Sequence, residues 1–332
     1  MLLPAEESFA TIASVLRNFV IIGHRHILNF FDSAILDGRL SHAYGFVGPG
    51  GIGKRAVAFE VAARLLNVPT EKLANHPDFI LVQRGEDEKT GKLKKEITVA
   101  EARELKKSLQ HTSWQKGNRV VVIDGAEFLN SESGNALLKL LEEPPERTYF
   151  ILLIEDEGGV LPTVRSRLQS FYFSLVKTAE IAAALKKMGI PDERAESYAR
   201  RAHGRPGKAL FFLESENAER YDDQLAVFQQ LIGAPFYKKI QLIEKFYGAK
   251  EDGERGRTEW QEILETWVFW FRDWLLKKHG AVQFAGEPGL SASTNFSSGE
   301  LVRIIDSCQR VKKLLRQNVH PRLAIEEALL KI

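Results

Sequence analysis

Residues 120–123 read Val-Val-Val-Ile, four β-branched side chains in a row within "RVVVIDGAEFL". Successive side chains on a strand point to opposite faces, so an unbroken apolar run belongs to a strand covered on both sides. A sheet made of such strands needs helices on both faces, the arrangement of parallel α/β folds. The neighbouring segments agree. "AYGFVG", "DFILVQ" and "TYFILLIED" are further short apolar strands, with helical patterns between them. These are "KRAVAFEVAARLLN", "TVAEARELKKSLQ" and "SESGNALLKLLEEPPE". Thr98 reads as an N-cap with Glu101 three residues on, and Pro144 and Pro145 stop the third helix. Strands separated by helices predict a parallel, doubly wound sheet. "RGEDEKTGKLKKEITV", highly charged around Gly91, reads as an exposed hairpin or loop.

From about Leu175 the strand signal stops. "KTAEIAAALKKMG" and "DERAESYARRAHG" read as two helices of a small lid, and longer helices follow to the end of the chain. Two polar breaks interrupt these, "GAKEDGERGR" and "GEPGLSASTNFSSG", and the second is the expected mobile loop. The 332 residues therefore divide into an α/β domain over 1–175, a helical lid over 176–213 and an all-helical domain over 214–332.

The strand "AYGFVG" runs into "GPGGIGKRAV", where Gly48, Gly53 and Lys54 fall in the register of a phosphate-binding loop, G-x-x-x-x-G-K. Gly50 and Gly51 add to its glycine framework. Such a loop ends in Ser or Thr, whose hydroxyl holds magnesium, but this chain has Arg55. Asp124 closes an apolar strand, the place where NTPases keep a magnesium-organising carboxylate, although a turn cap looks the same in isolation. The glycines are equally what a tight strand-to-helix turn needs without any ligand.

Composition narrows the classes further. Lys plus Arg is 46 against 44 for Asp plus Glu, so no global field gathers nucleic acid, which opposes a stand-alone DNA-binding module. One cysteine, Cys308, excludes an internal disulfide and a multi-cysteine zinc site. It falls among Leu301, Ile304, Ile305, Val311 and Leu315 at helical spacing, as a buried, inert thiol would. Glu6 and Glu7 stand where a signal peptide is basic, and no apolar run approaches ~18 residues. A cytoplasmic protein is expected.

Taken in order, "IIGH", "LSHAYGFVGPGGIGK", "HPDF", "RVVVIDGAEFLN", "NALLKLLEEPPE", "LPTVRSRLQ" and "NVHPRLAIEEALL" resemble the AAA+ clamp-loader subunits of bacterial DNA polymerase III, most closely the delta-prime branch. The resemblance covers most of the chain. It implies a AAA+ P-loop domain, a lid, and a C-terminal collar that joins subunits into a ring, with the "IIGH" region near the nucleotide base. "LPTVRSRLQ" matches the serine-arginine-cysteine motif whose arginine reaches a neighbour's ATP. Here it reads Ser166, Arg167, Leu168, keeping the arginine and losing the cysteine. The four-cysteine zinc module common in these relatives is missing from "RLLNVPTEKLANHPDF".

The departures from the motor pattern concern hydrolysis. Arg55 replaces the magnesium hydroxyl, and Gly125 stands where motors carry a water-positioning glutamate. Glu155 lies at or beside the polar γ-phosphate sensor, and Gly207 falls where the lid arginine belongs. What the resemblance then implies is a non-motor scaffold in the ring that loads the sliding clamp onto primed DNA, with Arg167 acting in trans. Gly48, Gly50, Gly51, Gly53, Lys54 and Asp124 remain as a degenerate nucleotide site. No cofactor is required and no zinc expected; whether ATP or ADP still binds through Lys54 stays open. No independent ATPase is expected of this subunit of a DNA-directed DNA polymerase holoenzyme. Its partners would be the gamma/tau motor subunits, the clamp-opening delta subunit and the sliding clamp, with primed DNA reached through the complex and no membrane. The alternative is an active clamp-loader ATPase of gamma/tau type.

Four tryptophans, Trp260, Trp267, Trp270 and Trp274, crowd one helical stretch, as rings packed in the collar rather than stacked on bases. With the apolar stripes of the C-terminal helices they suggest more hydrophobic surface than a small bundle buries alone, hence an interface. The lysines of "KTGKLKK" read as a solvated tip. His76 reads as a strand-entry residue, and His203 as a charge at a helix C-terminus.

Overall fold

The computed structural model describes residues 20–85, 94–110, 117–247, 254–281, 296–317 and 319–332. Five strands, β1 (Ala43–Val47), β2 (Phe79–Val82), β3 (Arg119–Asp124), β4 (Thr148–Ile154) and β5 (Gln169–Tyr172), form one sheet in the order β2-β3-β4-β1-β5. Every pairing is parallel. β1 pairs with β4 from Ala43↔Phe150 to Val47↔Ile154, and with β5 from Tyr44↔Gln169 to Val47↔Tyr172.

The double-faced burial expected of residues 120–123 is what the packing contains. Val120 and Val122 join a cluster on one face with α1 (Arg25–Leu36) and α2 (Lys54–Leu66), through Ile27, Phe31, Val57 and Val61. Val121 and Ile123 join the opposite cluster with α3 (Val99–Gln110) and α4 (Ser131–Glu142), through Leu105, Leu109, Leu137 and Leu141. The end signals work locally. The Glu101 carboxylate accepts the Thr98 backbone N–H at 2.8 Å before α3, and the Asn130 side chain accepts from Ser133 N at 2.9 Å before α4. At the entry to β2, His76 Nδ1 accepts the Asp78 N–H at 3.2 Å, the hydrogen-bonding role its position predicted.

Several elements escaped the sequence reading, the helices Pro206–Phe211 and Phe236–Tyr247 among them. α1 precedes the first recognised strand, and β5 is a four-residue edge strand whose residues are all at least partly exposed, so it lacks the apolar run that marked the others. A short helix, α5 (Pro162–Arg165), lies between β4 and β5. The charged hairpin or loop expected after β2 falls largely on residues 86–93, outside the described residues.

Two compact units divide the chain. The first contains the sheet and the lid helices α6 (Thr178–Lys187) and α8 (Pro206–Phe211), with α7 (Asp192–Arg201) up to Ala199. The second takes Arg200–His203 and Phe212–Ile332. It holds α9 (Ser215–Leu231), α10 (Phe236–Tyr247), α11 (Glu254–Lys278), α12 (Ser298–Arg316) and α13 (Pro321–Leu329). Most of the "GEPGLSASTNFSSG" break lies outside the described residues.

All four tryptophans of α11 are buried in this helical unit. Phe228 of α9 touches the rings of Trp267, Trp270 and Trp274, the closest at 4.7 Å between centroids. Trp270 Nε1 donates to the Tyr221 hydroxyl at 2.9 Å. The packed reading of these rings holds, and it corrects their proposed share in an interface, because they are consumed inside the unit. Apolar side chains left outside include Phe236, Tyr237, Val302, Leu323 and Leu330. Cys308 is buried as expected, and burial pushes its thiol up to about 12. His203 lies just past the end of α7, with left-handed backbone at φ 49° and a buried ring that stacks on Phe269 at 4.3 Å. Its Nδ1 lies 3.9 Å from Asp273, which is itself fully buried.

Phe150 sits in the central strand β4 with no exposure, whereas Tyr172 on the edge is 62% exposed. Phe150→Ala is expected to cost about 3–5 kcal/mol. Tyr172→Ala should stay within about 0.5 kcal/mol. Denaturant unfolding followed by far-ultraviolet circular dichroism compares the two, and equal losses would remove β4 from the centre of the core.

Candidate functional site

β1, β3 and β4 end side by side, and their C-terminal ends deliver the singled-out residues to one place. β1 lies between β4 and β5, so the chain leaves it in one direction and returns on both sides, the geometry in which open parallel sheets bind ligands. β1 feeds the glycine loop into α2, whose first two residues are Lys54 and Arg55. β3 ends at Asp124, and Glu155 follows β4. Gly51 at φ 74° and Gly53 at φ 107° occupy left-handed backbone, so the turn itself requires glycine there.

Lys54 is buried and its ammonium turns back on its own loop. Nζ donates to Gly48 O at 2.5 Å and Pro49 O at 3.0 Å, and lies 3.8 Å from Glu155 Oε1. Burial lowers its pKa, while Glu155, Glu127 and Asp124 pull it back up. Glu155 also crowds the loop, since a Cβ on Gly50 would come within 2.8 Å of its Oε1. Arg55 reaches the end of β3, where its guanidinium donates to Asp124 Oδ2 at 3.0 Å and lies 5.1 Å from the Phe59 ring centroid.

Magnesium needs oxygen ligands in a tight octahedron. Residue 55 offers no lone pair, and its charge already engages the Asp124 carboxylate. No cluster of three or more metal-capable His, Cys, Asp or Glu side chains exists among the described residues. The donor set does not fit the ion.

Two further residues brace the site. His24, in "IIGH", has left-handed backbone at φ 57° and donates from Nε2 to Ile52 O at 3.0 Å, with its ring against Phe173. Burial lowers its pKa. Glu127 was not anticipated. Its half-buried carboxylate accepts the Glu155 backbone N–H at 3.3 Å and 3.4 Å from its two oxygens, and burial raises its pKa. The signal available was an acidic residue three positions beyond the end of an apolar strand. Gly125 has φ 82°, and a Cβ there would meet Phe128 at 2.6 Å, so this turn is not shaped for a glutamate at that position. From the lid, Gly207 N donates to Gly51 O at 2.8 Å, and a Cβ on Gly207 would approach that oxygen to 2.9 Å.

Arg167 stands apart from this cluster. Its guanidinium donates to Thr163 O at 2.8 Å and Ser166 Oγ at 3.4 Å and pairs with Glu142 at the end of α4. The partner is therefore in the α/β layer and not in the lid.

Residues 23–177 match the family model described as DNA polymerase III, delta subunit. The delta' subunit of DNA polymerase III from Pseudomonas aeruginosa is 34% identical over 178 residues, 49% of this chain and 52% of that protein. The tau subunit from Bacillus subtilis is 26% identical over 350 residues, 94% of this chain and 60% of that protein. The chain thus spans little more than half the length of these curated relatives. A DNA polymerase III gamma subunit-related protein of Thermotoga maritima shares the fold, with a TM-score of 0.53 at 15% identity over 90% of this chain and 97% of that one.

Glu127 carries a pH test. Its raised pKa means that the folded state keeps the proton to higher pH than the unfolded chain, whose carboxyl titrates near 4.5. Below that value both states are protonated and nothing is lost. As pH rises from 4.5 through the raised value, the unfolded chain gives up its proton first, so stability falls. Glu127→Gln should remove this downward slope, measured by denaturant unfolding between acid and neutral pH. An unchanged slope in the variant would assign it to another group.

Proposed function

We propose that this chain is a member of the AAA+ clamp-loader family of DNA polymerase III, which its α/β unit resembles, and that it serves there as a non-motor, delta-prime-like subunit. One observation carries the reading: Arg55 forms an ion pair with Asp124, 3.0 Å apart, where a magnesium-dependent motor keeps a hydroxyl and an available carboxylate. Gly125, Glu155 and Gly207 support it, since each lies in the same cluster and lacks the group that hydrolysis uses there. The helical second unit is the collar, and the partners are the gamma/tau motor subunits, the delta subunit, the sliding clamp and primed DNA held by the complex. No described helix is long and apolar enough to cross a membrane. A cytoplasmic replication subunit is the setting that fits this role.

The motor reading has one observation in its favour, the match to a tau subunit over 94% of the chain. It predicts turnover by the chain alone. The scaffold reading predicts none, with or without primed DNA, and robust hydrolysis that disappears on Lys54→Ala would reverse the assignment.

In the scaffold, Arg167 acts on the neighbour's ATP. It follows α5 on the surface of the α/β layer, and its ion pair with Glu142 is partly exposed, so the guanidinium is held near its place without being sealed in. A guanidinium against a transferring phosphoryl group stabilises the developing charge, worth roughly 10³–10⁵ in rate in GTPases. Only one of several sites in the ring depends on this subunit, so DNA-stimulated ATPase of the reconstituted complex should fall in part with Arg167→Ala. Clamp loading should fall further than with Arg165→Ala, while assembly stays intact. Equal, negligible effects of the two substitutions would leave Arg167 as a structural partner of Glu142.

A further inference from the structure

Arg55 and Glu155 are the two charges that this chain adds to a phosphate-binding loop, and each lies against a group that a bound nucleotide and its metal engage in a motor. Arg55 pairs with Asp124 at 3.0 Å, and Glu155 lies 3.8 Å from Lys54 Nζ with an oxygen pressed against the Gly50 position. We infer that the chain supplies its own counter-ions here: Glu155 is the standing anion for Lys54, Arg55 the standing cation for Asp124, and the loop keeps its arrangement with no polyphosphate bound. The inference rests on the non-motor reading and extends it from hydrolysis to binding.

The charges explain why a polyphosphate is rejected rather than merely left uncleaved. Lys54 and Arg55 contribute two positive charges, and Asp124 and Glu155 cancel them. Glu127 adds a further carboxyl beside Glu155, with its pKa raised first by burial and then by the Glu155 charge. An entering polyphosphate would have to displace Glu155 from the buried Lys54 ammonium. It could not bring magnesium to Asp124, because the guanidinium holds that carboxylate. Lys54 meanwhile spends its donors on Gly48 O and Pro49 O.

Geometry makes the same pairs a clasp. Lys54 and Arg55 open α2, so the two ion pairs tie the start of that helix to the ends of β3 and β4. The Gly207 N–H adds a tie from the start of α8 to Gly51 O. Strands, loop and lid are thereby joined by groups that do not depend on the hydrolytic state of any ligand.

The experiment titrates the full chain with inorganic tripolyphosphate, and separately with ADP plus magnesium, by isothermal calorimetry and thermal shift. The wild type should bind neither at millimolar concentration. Glu155→Gln, which keeps the side-chain shape and removes the charge, should gain magnesium-independent tripolyphosphate affinity of about tenfold or more. Adding Arg55→Thr should make ADP binding magnesium-dependent, and Lys54→Ala should abolish both gains. Tight binding of magnesium-ADP by the wild type overturns the inference without any variant having to fold. So does a folded Glu155→Gln protein, verified by circular dichroism, that binds no better than the wild type. Wild-type binding without hydrolysis would remove the standing counter-ions and leave the non-motor assignment in place, whereas wild-type hydrolysis would remove both.

Discussion

Because β1 is hydrogen-bonded to β4 on one side and β5 on the other, the loop that leaves its C-terminal end lies beside the ends of both neighbours. Parallel pairing requires a crossover after each strand, and the crossovers place α2 on one face, where α1 from ahead of the sheet joins it, and α3 and α4 on the other. The same pairing aligns strand ends. Asp124 and Leu153 are register partners, so the residues that follow β3 and β4 arrive together beside the loop that leaves β1. Gly48 N even donates to the Ile154 carbonyl at 3.1 Å, stitching the loop to the end of β4. The site is therefore a consequence of strand order, and its chemistry depends on which side chains stand at those few ends.

Here those ends carry charges that answer one another. In a phosphate-binding loop the lysine and the backbone N–H groups face an anion that comes from outside. In this chain the lysine is buried against its own carbonyls and faces Glu155, and Asp124 faces a guanidinium. A buried ammonium without an oxygen partner would be costly, and both loop carbonyls and the carboxylate meet that need locally. Arg55 is a substitution of one residue in the motif, yet it changes both members of the metal site at once.

The helical unit follows a different rule. Its core is aromatic, with Phe228 in contact with three tryptophan rings and Trp270 hydrogen-bonded to Tyr221. Rings of this size exclude water from a unit whose described residues form five helices and no strand, and the indole of Trp270 keeps its N–H satisfied by a hydroxyl nearby. The apolar side chains that remain outside are scattered over α10, α12 and α13 and include none of the tryptophans.

Periodicity and turn chemistry determined the first four strands, the helices between them, the stop at Pro144 and Pro145, and the buried thiol at Cys308. These features depend on neighbours in sequence, so they are legible there. β5 and α1 were not, because a short edge strand with partly exposed residues lacks a period of its own and is held only by pairing with β1. The residue types at 55, 125, 155 and 207 were also plain in the chain. What they do to one another was decided by tertiary structure: the salt bridge from Arg55 to Asp124 spans sixty-nine positions, and Glu127, Glu155 and Lys54 meet only because parallel register brings their strand ends together. His203 is a similar case, since its position at a helix end was plain in sequence but its neighbours Phe269 and Asp273 were not. Local pattern sets the elements, and long-range pairing sets which charges become neighbours.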